Sequence, residues 1–212
     1  MNNFKRIVIL ITLNLRAEEL SLYFYKNFLV RMMTIDELKF PIGQFICPEK
    51  ITEALLVKYK NAIATFPERL KKEVLHLNDH QLNTPYRQDG WTIRQVVHHC
   101  ADSHMNSLIR FKLALTEDNP TIRPYFEERW AELADSKTMP IESSLKMLEG
   151  IHERWTVLLN SLTQSDLART FVHPQSGQQF QLAENIGIYA WHCDHHLAHV
   201  TTLKQRNGWD KN

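Results

Sequence analysis

The segment Tyr189-Ala190-Trp191-His192-Cys193-Asp194-His195-His196-Leu197-Ala198-His199-Val200 carries four imidazoles within eight residues. Neutral imidazole is a ligand for divalent transition metals, and two of them four residues apart on a helix stand one above the other. Here that spacing occurs twice, in His192 with His196 and in His195 with His199. All four side chains fall within an arc of about 100°, so spacing offers two ligand pairs and does not choose between them. The rest of the segment is apolar almost all round, with Ala190, Cys193, Leu197 and Val200, which predicts a buried helix. Buried imidazoles need hydrogen-bond partners or a metal, because an unpaired buried polar group costs about 1–3 kcal/mol. No Glu follows His192, so the H-E-x-x-H zinc-protease pattern is absent and a third ligand must come from elsewhere.

A second cluster, His98, His99 and His104, lies in Trp91-Thr92-Ile93-Arg94-Gln95-Val96-Val97-His98-His99-Cys100-Ala101-Asp102-Ser103-His104. Helical periodicity puts His104 in an apolar face with Ile93, Val96, Val97, Cys100, Leu108 and Phe111. It puts His99 in a polar stripe with Gln95, Asp102, Ser103, Asn106 and Arg110, which on periodicity alone reads as a solvated face. The remaining histidines, His76, His80, His152 and His173, have no partner at ligand spacing and read as surface residues. Asp102, Asp194 and Glu184 are candidates to support a ligand imidazole, although each also reads as an ordinary surface charge. The chain has no G-x-S-x-G elbow, phosphate-binding loop or dinucleotide fingerprint, and no catalytic side chain is singled out.

These clusters need helices to hold them. Ile51 to Leu77 reads as a first long helix, with Ala54, Leu55, Tyr59, Ala62, Phe66, Leu70 and Val74 at three- and four-residue steps. Pro67 should kink or interrupt it. Asn78 to Gly90 is polar and turn-rich and reads as a loop. Thr92 opens a second helix, forms a capping-box pattern with Gln95, and leads to about Thr116, before Asp118-Asn119-Pro120. Tyr125 to Ala134 predicts a short connecting helix. Pro140 begins a third long helix whose apolar face is Leu145, Leu148, Ile151, Trp155, Leu158 and Leu159. Phe171-Val172-His173 and Gln179-Phe180-Gln181 flank Pro174–Gly177 as a small hairpin. A fourth long helix runs from about Ala183 to Arg206, with Gly208 as its stop. The expected fold is therefore all-α: a four-helix bundle with short connecting elements and a small β-hairpin before the last helix.

Composition narrows the function classes. The 212 residues hold 25 Lys and Arg against 24 Asp and Glu, a net charge of +1, which speaks against a nucleic-acid or membrane surface. Eleven histidines are many for this length. Three cysteines, Cys47, Cys100 and Cys193, without a C-x-x-C, argue against a disulfide framework or a cysteine zinc site and for a reducing cytoplasm. Cys100 and Cys193 read as small buried apolar residues. Near the start, Ile7–Leu13 is too short to span a membrane, and Arg16, Glu18 and Glu19 follow it with no small-residue cleavage site. Residues 1–32 read as an N-terminal extension, either translated upstream sequence ahead of a start at Met32 or Met33, or a loosely attached helix. Residues 33–212 read as the bundle domain.

Three motifs in order, "FPIGQF", "GWTIRQVVHHCADSHMN" and "YAWHCDHHLAHV", resemble the YfiT branch of the DinB-like superfamily over about Met33 to Trp209. These are small bacterial four-helix-bundle metalloproteins regarded as metal-dependent hydrolases, and some members are thiol S-transferases that use bacillithiol. In that family the first ligand is the histidine eight residues after the helix-opening Trp, which here is His99. The other two are an i,i+4 pair on the last helix, followed three positions later by a polar residue, which implies His192 and His196 with His199 in the polar slot. The resemblance thus reverses the periodicity reading of His99, implies a homodimer, and leaves His195 without a role.

Three imidazoles with an open fourth position match the catalytic pattern of zinc rather than the structural one. The expected cofactor is one divalent ion per chain, Zn2+ first and Ni2+ second, since imidazole suits both. Such an ion lowers the pKa of a water in the open position to near 7, giving hydrolysis of a small-molecule substrate. The same position, taken by a low-molecular-weight thiol, would yield a thiolate and an S-transferase. A non-catalytic site that braces the bundle is the third reading, and a fourth histidine ligand would favour it.

Overall fold

The structure is a computed structural model and describes residues 33–209; the expectation for residues 1–32 lies outside them. By internal contacts the chain divides after Thr34, and every element below lies in the second unit, Ile35–Asn212. The elements run α1 (Ile35–Lys39), α2 (Glu53–Val74), α3 (Asp79–Leu82), α4 (Ile93–Thr116), α5 (Glu127–Trp130), α6 (Ala134–Thr138), α7 (Glu142–Ser161), α8 (Gln164–Leu167), β1 (Thr170–His173), β2 (Gln178–Gln181) and α9 (Leu182–Asn207). The long helices α2, α4, α7 and α9 form the bundle. Its packed neighbours are α9 with α2, α2 with α7, α7 with α4, and α4 with α9. The helices α2 and α4, consecutive among the long ones, are therefore diagonal, while α4 and α9, which carry the two histidine clusters, share a face.

Local signals account for the helix ends. Thr92 accepts from the Gln95 N–H while the Gln95 side chain accepts from the Thr92 N–H, so the predicted capping box is formed. Gly208 ends α9 in the left-handed region at φ 67°, a conformation that costs glycine little. The hairpin is present, with Phe171 opposite Phe180 and His173 opposite Gln178. The short helices depart from the sequence reading. Asn78–Gly90 contains α3, closed by a capping box between Asn78 and Gln81. The single connecting helix is two, α5 and α6, and Thr163 with Asp166 caps α8. Helices of four or five residues are too short for an apolar period to reveal them.

The core is built around Trp155, Phe66, Phe111, Phe171, Ile63 and Leu70. Two expectations about α2 are corrected. Its buried face takes in Leu56 and Ile63 while Ala54 is exposed, a rotation of the predicted stripe. Pro67 does not interrupt the helix, which continues to Val74. In α7 the imidazole of His152 is 1% exposed, so the surface reading of His152 is wrong. It occupies the same stripe as Leu145, Leu148, Trp155 and Leu159. Among the described residues no helix is long and apolar enough to cross a membrane.

Candidate metal centre

Half of the polar stripe of α4 is withdrawn from water, while Asp102, Asn106 and Arg110 stay half-exposed. Gln95, His99 and Ser103 are buried, because α9 packs along them and the segment around Ala131, whose carbonyl accepts from Gln95 Nε2 at 2.8 Å, closes over the helix start. The expectation of a solvated stripe fails because periodicity reports polarity, not what covers it. Instead the stripe borders a cavity of about 540 Å³, within the usual range for small-molecule sites. His99, Ser103 and Arg110 line it from α4, and His192, His195 and His196 from α9. Trp91, Trp191, Tyr86 and Phe40 form aromatic wall, with His173 at its edge rather than on the open surface.

His99, His192 and His196 converge, each offering a ring nitrogen within 4.8 Å of the others. The Nε2 atoms of His99 and His192 are 3.2 Å apart. Two nitrogens held about 2.05 Å from one tetrahedral ion would stand about 3.3 Å apart, so the spacing fits the donor set. Burial pushes all three imidazoles down, His99 to about 3 and the other two well below the ordinary value. They are neutral at pH 7, the state in which imidazole binds metal.

A second group, His195, His196 and His199, also comes together and shares His196 with the first. Hydrogen bonding separates them. His199 Nε2 donates to the Lys39 carbonyl at 3.1 Å, because a carbonyl oxygen can only accept. Burial keeps His199 neutral, with its basicity lowered to about 3, so its Nδ1 is an acceptor. That atom lies 3.3 Å from Nδ1 of His196, which must then donate, leaving His196 Nε2 with its lone pair. Both nitrogens of His199 are thus engaged in holding His196, and its ring stacks on Tyr86 at 3.9 Å between centroids. His199 is thereby withdrawn from the second group, while His196 keeps its Nε2 for the first.

The other candidates fall into place. His98 contacts Ser144 Oγ at 2.7 Å and the Met139 carbonyl at 3.1 Å, so it ties α4 to α7 and its neighbourhood. Asp194 pairs with Arg69 of α2 at 2.7 Å and braces the bundle. Asp102 is half-buried, and burial raises its carboxyl to about 6. Glu184 and these two aspartates have no hydrogen bond to a converging imidazole among the described residues. The supporting positions behind His192 and His196 go to other histidines, His104 and His199. Cys100 and Cys193 are buried with their thiols pushed up, hence protonated. His195 stacks on Trp191 at 4.3 Å, and its buried Nδ1 has no partner among the described residues.

The "FPIGQF" segment begins at the wall residue Phe40 and packs against α9. Gly43, at φ 75°, presents its carbonyl to Trp191 Nε1 at 3.0 Å. Phe45 reaches α9 at Gly187, where a Cβ would come within 3.1 Å of its ring and 2.9 Å of the Tyr59 ring. A glycine is required there for close approach, not for backbone freedom.

Three converging, neutral histidines on two adjacent helices, His99 and His196 buried and His192 half-buried, form the kind of arrangement from which helix bundles build metal sites. The chain belongs to the DinB superfamily, whose model matches residues 62–200. Among its relatives is a protein of Bacillus cereus (strain 03BB102), 54% identical over 175 residues, spanning 82% of this chain and 100% of its own. One from Bacillus mycoides (strain KBAB4) is 54% identical over 173 residues, 82% of this chain and 99% of its own. Both carry the provisional name of metal-dependent hydrolase. The chain is also similar to the solved structure of YfiT from Bacillus subtilis, described as a probable metal-dependent hydrolase with an unusual four-helix bundle topology. That match has a TM-score of 0.80 and 48% identity, and covers 82% of this chain and 99% of the other.

Proposed function

We propose that the chain is a metal-dependent hydrolase of a small-molecule substrate, with His99, His192 and His196 holding one divalent ion, Zn2+ first and Ni2+ second. The convergence of three neutral imidazoles on the wall of a cavity carries this reading, and the names of the relatives support it. When bound, the ion supplies the Lewis acidity that activates water at neutral pH.

The chain's own residues supply the rest. Trp91, Trp191 and Tyr86 exclude water from one side of the histidines and lower the local dielectric, which strengthens polar interactions with substrate. His195 lines the cavity beside His196, and its buried Nδ1 has no partner among the described residues. Along α4, His99, Ser103 and Arg110 mark one edge of the cavity over about 16 Å of helix. Arg110 at the far end favours a substrate with an acidic or strongly polar group remote from the reacting bond.

The deciding experiment incubates metal-loaded protein with a panel of esters and amides and, separately, with low-molecular-weight thiols plus an electrophile. Hydrolysis products that vanish with His99→Ala support the reading. Thiol conjugates without hydrolysis would replace it with S-transfer at the same site.

A further inference from the structure

His104 and His152 are buried and belong to neither group of converging histidines. Their hydrogen bonds form a line that begins at Pro67. Proline has no N–H, so the Ile63 carbonyl, four residues earlier in α2, lacks the donor that every other interior turn supplies. Nδ1 of His152 lies 2.6 Å from that oxygen. The oxygen only accepts, so the proton of His152 is on Nδ1. Burial lowers the basicity of His152 to about 4, and the ring is neutral at pH 7, so its Nε2 is a bare acceptor. His104 Nδ1, at 2.7 Å, must donate to it. His104 is fully buried and its two ring nitrogens meet only other imidazoles, so no acidic partner holds a second proton on it and its Nε2 is then also an acceptor. It lies 3.0 Å from Nδ1 of His192, which must be the donor. His192 is left with a lone pair on Nε2, the atom that faces His99.

We propose that Pro67, His152 and His104 are a positioning chain that fixes His192 as the Nδ1–H tautomer and aims its Nε2 lone pair at the metal. Each link has a single allowed direction once the first is set by a backbone carbonyl. The same carbonyl makes the chain a dead end for protons, because an amide oxygen does not take up the proton of an imidazole at neutral pH. Its role is orientation, not proton transfer. Ligand histidines usually donate to a carboxylate, a carbonyl or water; here a second imidazole takes that place, and a third fixes the second. The proline leaves that oxygen free for His152, since an ordinary residue at position 67 would bring its own N–H to it. The inference rests on the proposed metal site, but its first test does not need the metal.

Long-range nitrogen–proton NMR of the metal-free protein reads each imidazole's tautomer. His104, His152 and His192 are expected as Nδ1–H; an Nε2–H form at any of the three overturns the chain. In a second measurement, His104→Met removes the acceptor, and His104→Gln keeps a side-chain acceptor in reach of His192. Zinc affinity is expected to fall about 10- to 100-fold in the Met variant and to recover in large part in the Gln variant. Unchanged affinity in a folded Met variant overturns the proposal even if the wild type binds zinc. A wild type that binds no divalent ion, with all three rings Nδ1–H, would instead remove the metal site and the aim that the chain serves. Should the Met variant not fold, the tautomers of the wild type still decide.

Discussion

Nε2 of His99 on α4 and Nε2 of His192 on α9 stand 3.2 Å apart although 93 residues separate them in the chain. Two lone pairs at that distance repel unless a proton or a cation lies between them. The packing of α4 against α9 holds them there. Alanine at His99, His192 or His196 is therefore expected to lower zinc affinity by more than about 100-fold, beyond what loss of a supporting partner costs. His195→Ala is expected to retain full stoichiometry. Metal analysis after dialysis checks this. Retained binding in His99→Ala with loss in His195→Ala would assign the ion to His195, His196 and His199 instead.

Metal should also stabilise the fold, because the converging geometry exists only when α4 and α9 are packed. Zinc at about 100 times its dissociation constant is expected to add about 2.7 kcal/mol, provided the unfolded chain binds it weakly. A thermal melt with and without chelator measures the effect. An unchanged Tm would mean that the folded protein has no preferential affinity for the ion.

Two helical glycines should respond oppositely to the same substitution. Gly187→Ala puts a Cβ 2.9 Å from the Tyr59 ring and 3.1 Å from the Phe45 ring, and the shift of both outweighs the gain in helix propensity. A net loss of about 1 kcal/mol is expected. Gly150, inside α7, has nothing within 4 Å of the added carbon, so Gly150→Ala should gain about 0.5–1 kcal/mol. Urea denaturation gives both signs, and equal signs would contradict the close approach at Gly187.

Acid should destabilise the metal-free fold as pH falls from about 7 to about 5. His152 titrates near 6.5 when unfolded and at about 4 when folded, because burial disfavours its charged form. The unfolded state therefore binds the extra proton first. The contribution is intact above pH 6.5 and is lost as pH falls toward 4, about 2 kcal/mol by pH 5 from this ring alone. Asp102, raised to about 6 by burial, acts in the opposite sense over part of that window. The histidines held down by burial outnumber it, so the denaturation midpoint is expected to drop between pH 7 and pH 5. A flat midpoint over that range would show that His152 is not held neutral.

Much of the architecture follows from local sequence. The capping box of Thr92 and Gln95, the αL stop at Gly208 and the hairpin around Pro174–Gly177 depend on residues within a few positions of each other. The stacking of His192 over His196 is likewise a property of one helix. His99 was selected by resemblance, not by periodicity, which makes its stripe solvated. That failure has the same source as the misreading of His152. Both concern what lies against a helix face, and this is set by other helices. The signal for His152 was present, since it sits at core spacing between Leu148 and Trp155, but a polar residue on an apolar stripe does not announce its partner. The partner is His104, 48 residues away, and the acceptor beyond it is a carbonyl freed by Pro67 in a third helix. Sequence by itself determined the four long helices, the capped start of α4, the glycine stop of α9 and the histidine pairs that one helix aligns, because those rest on short-range hydrogen bonds and the 3.6-residue turn. Tertiary structure alone decided which imidazoles meet, which are buried and which way each proton points, because neutral buried rings take their tautomer from neighbours that only packing supplies.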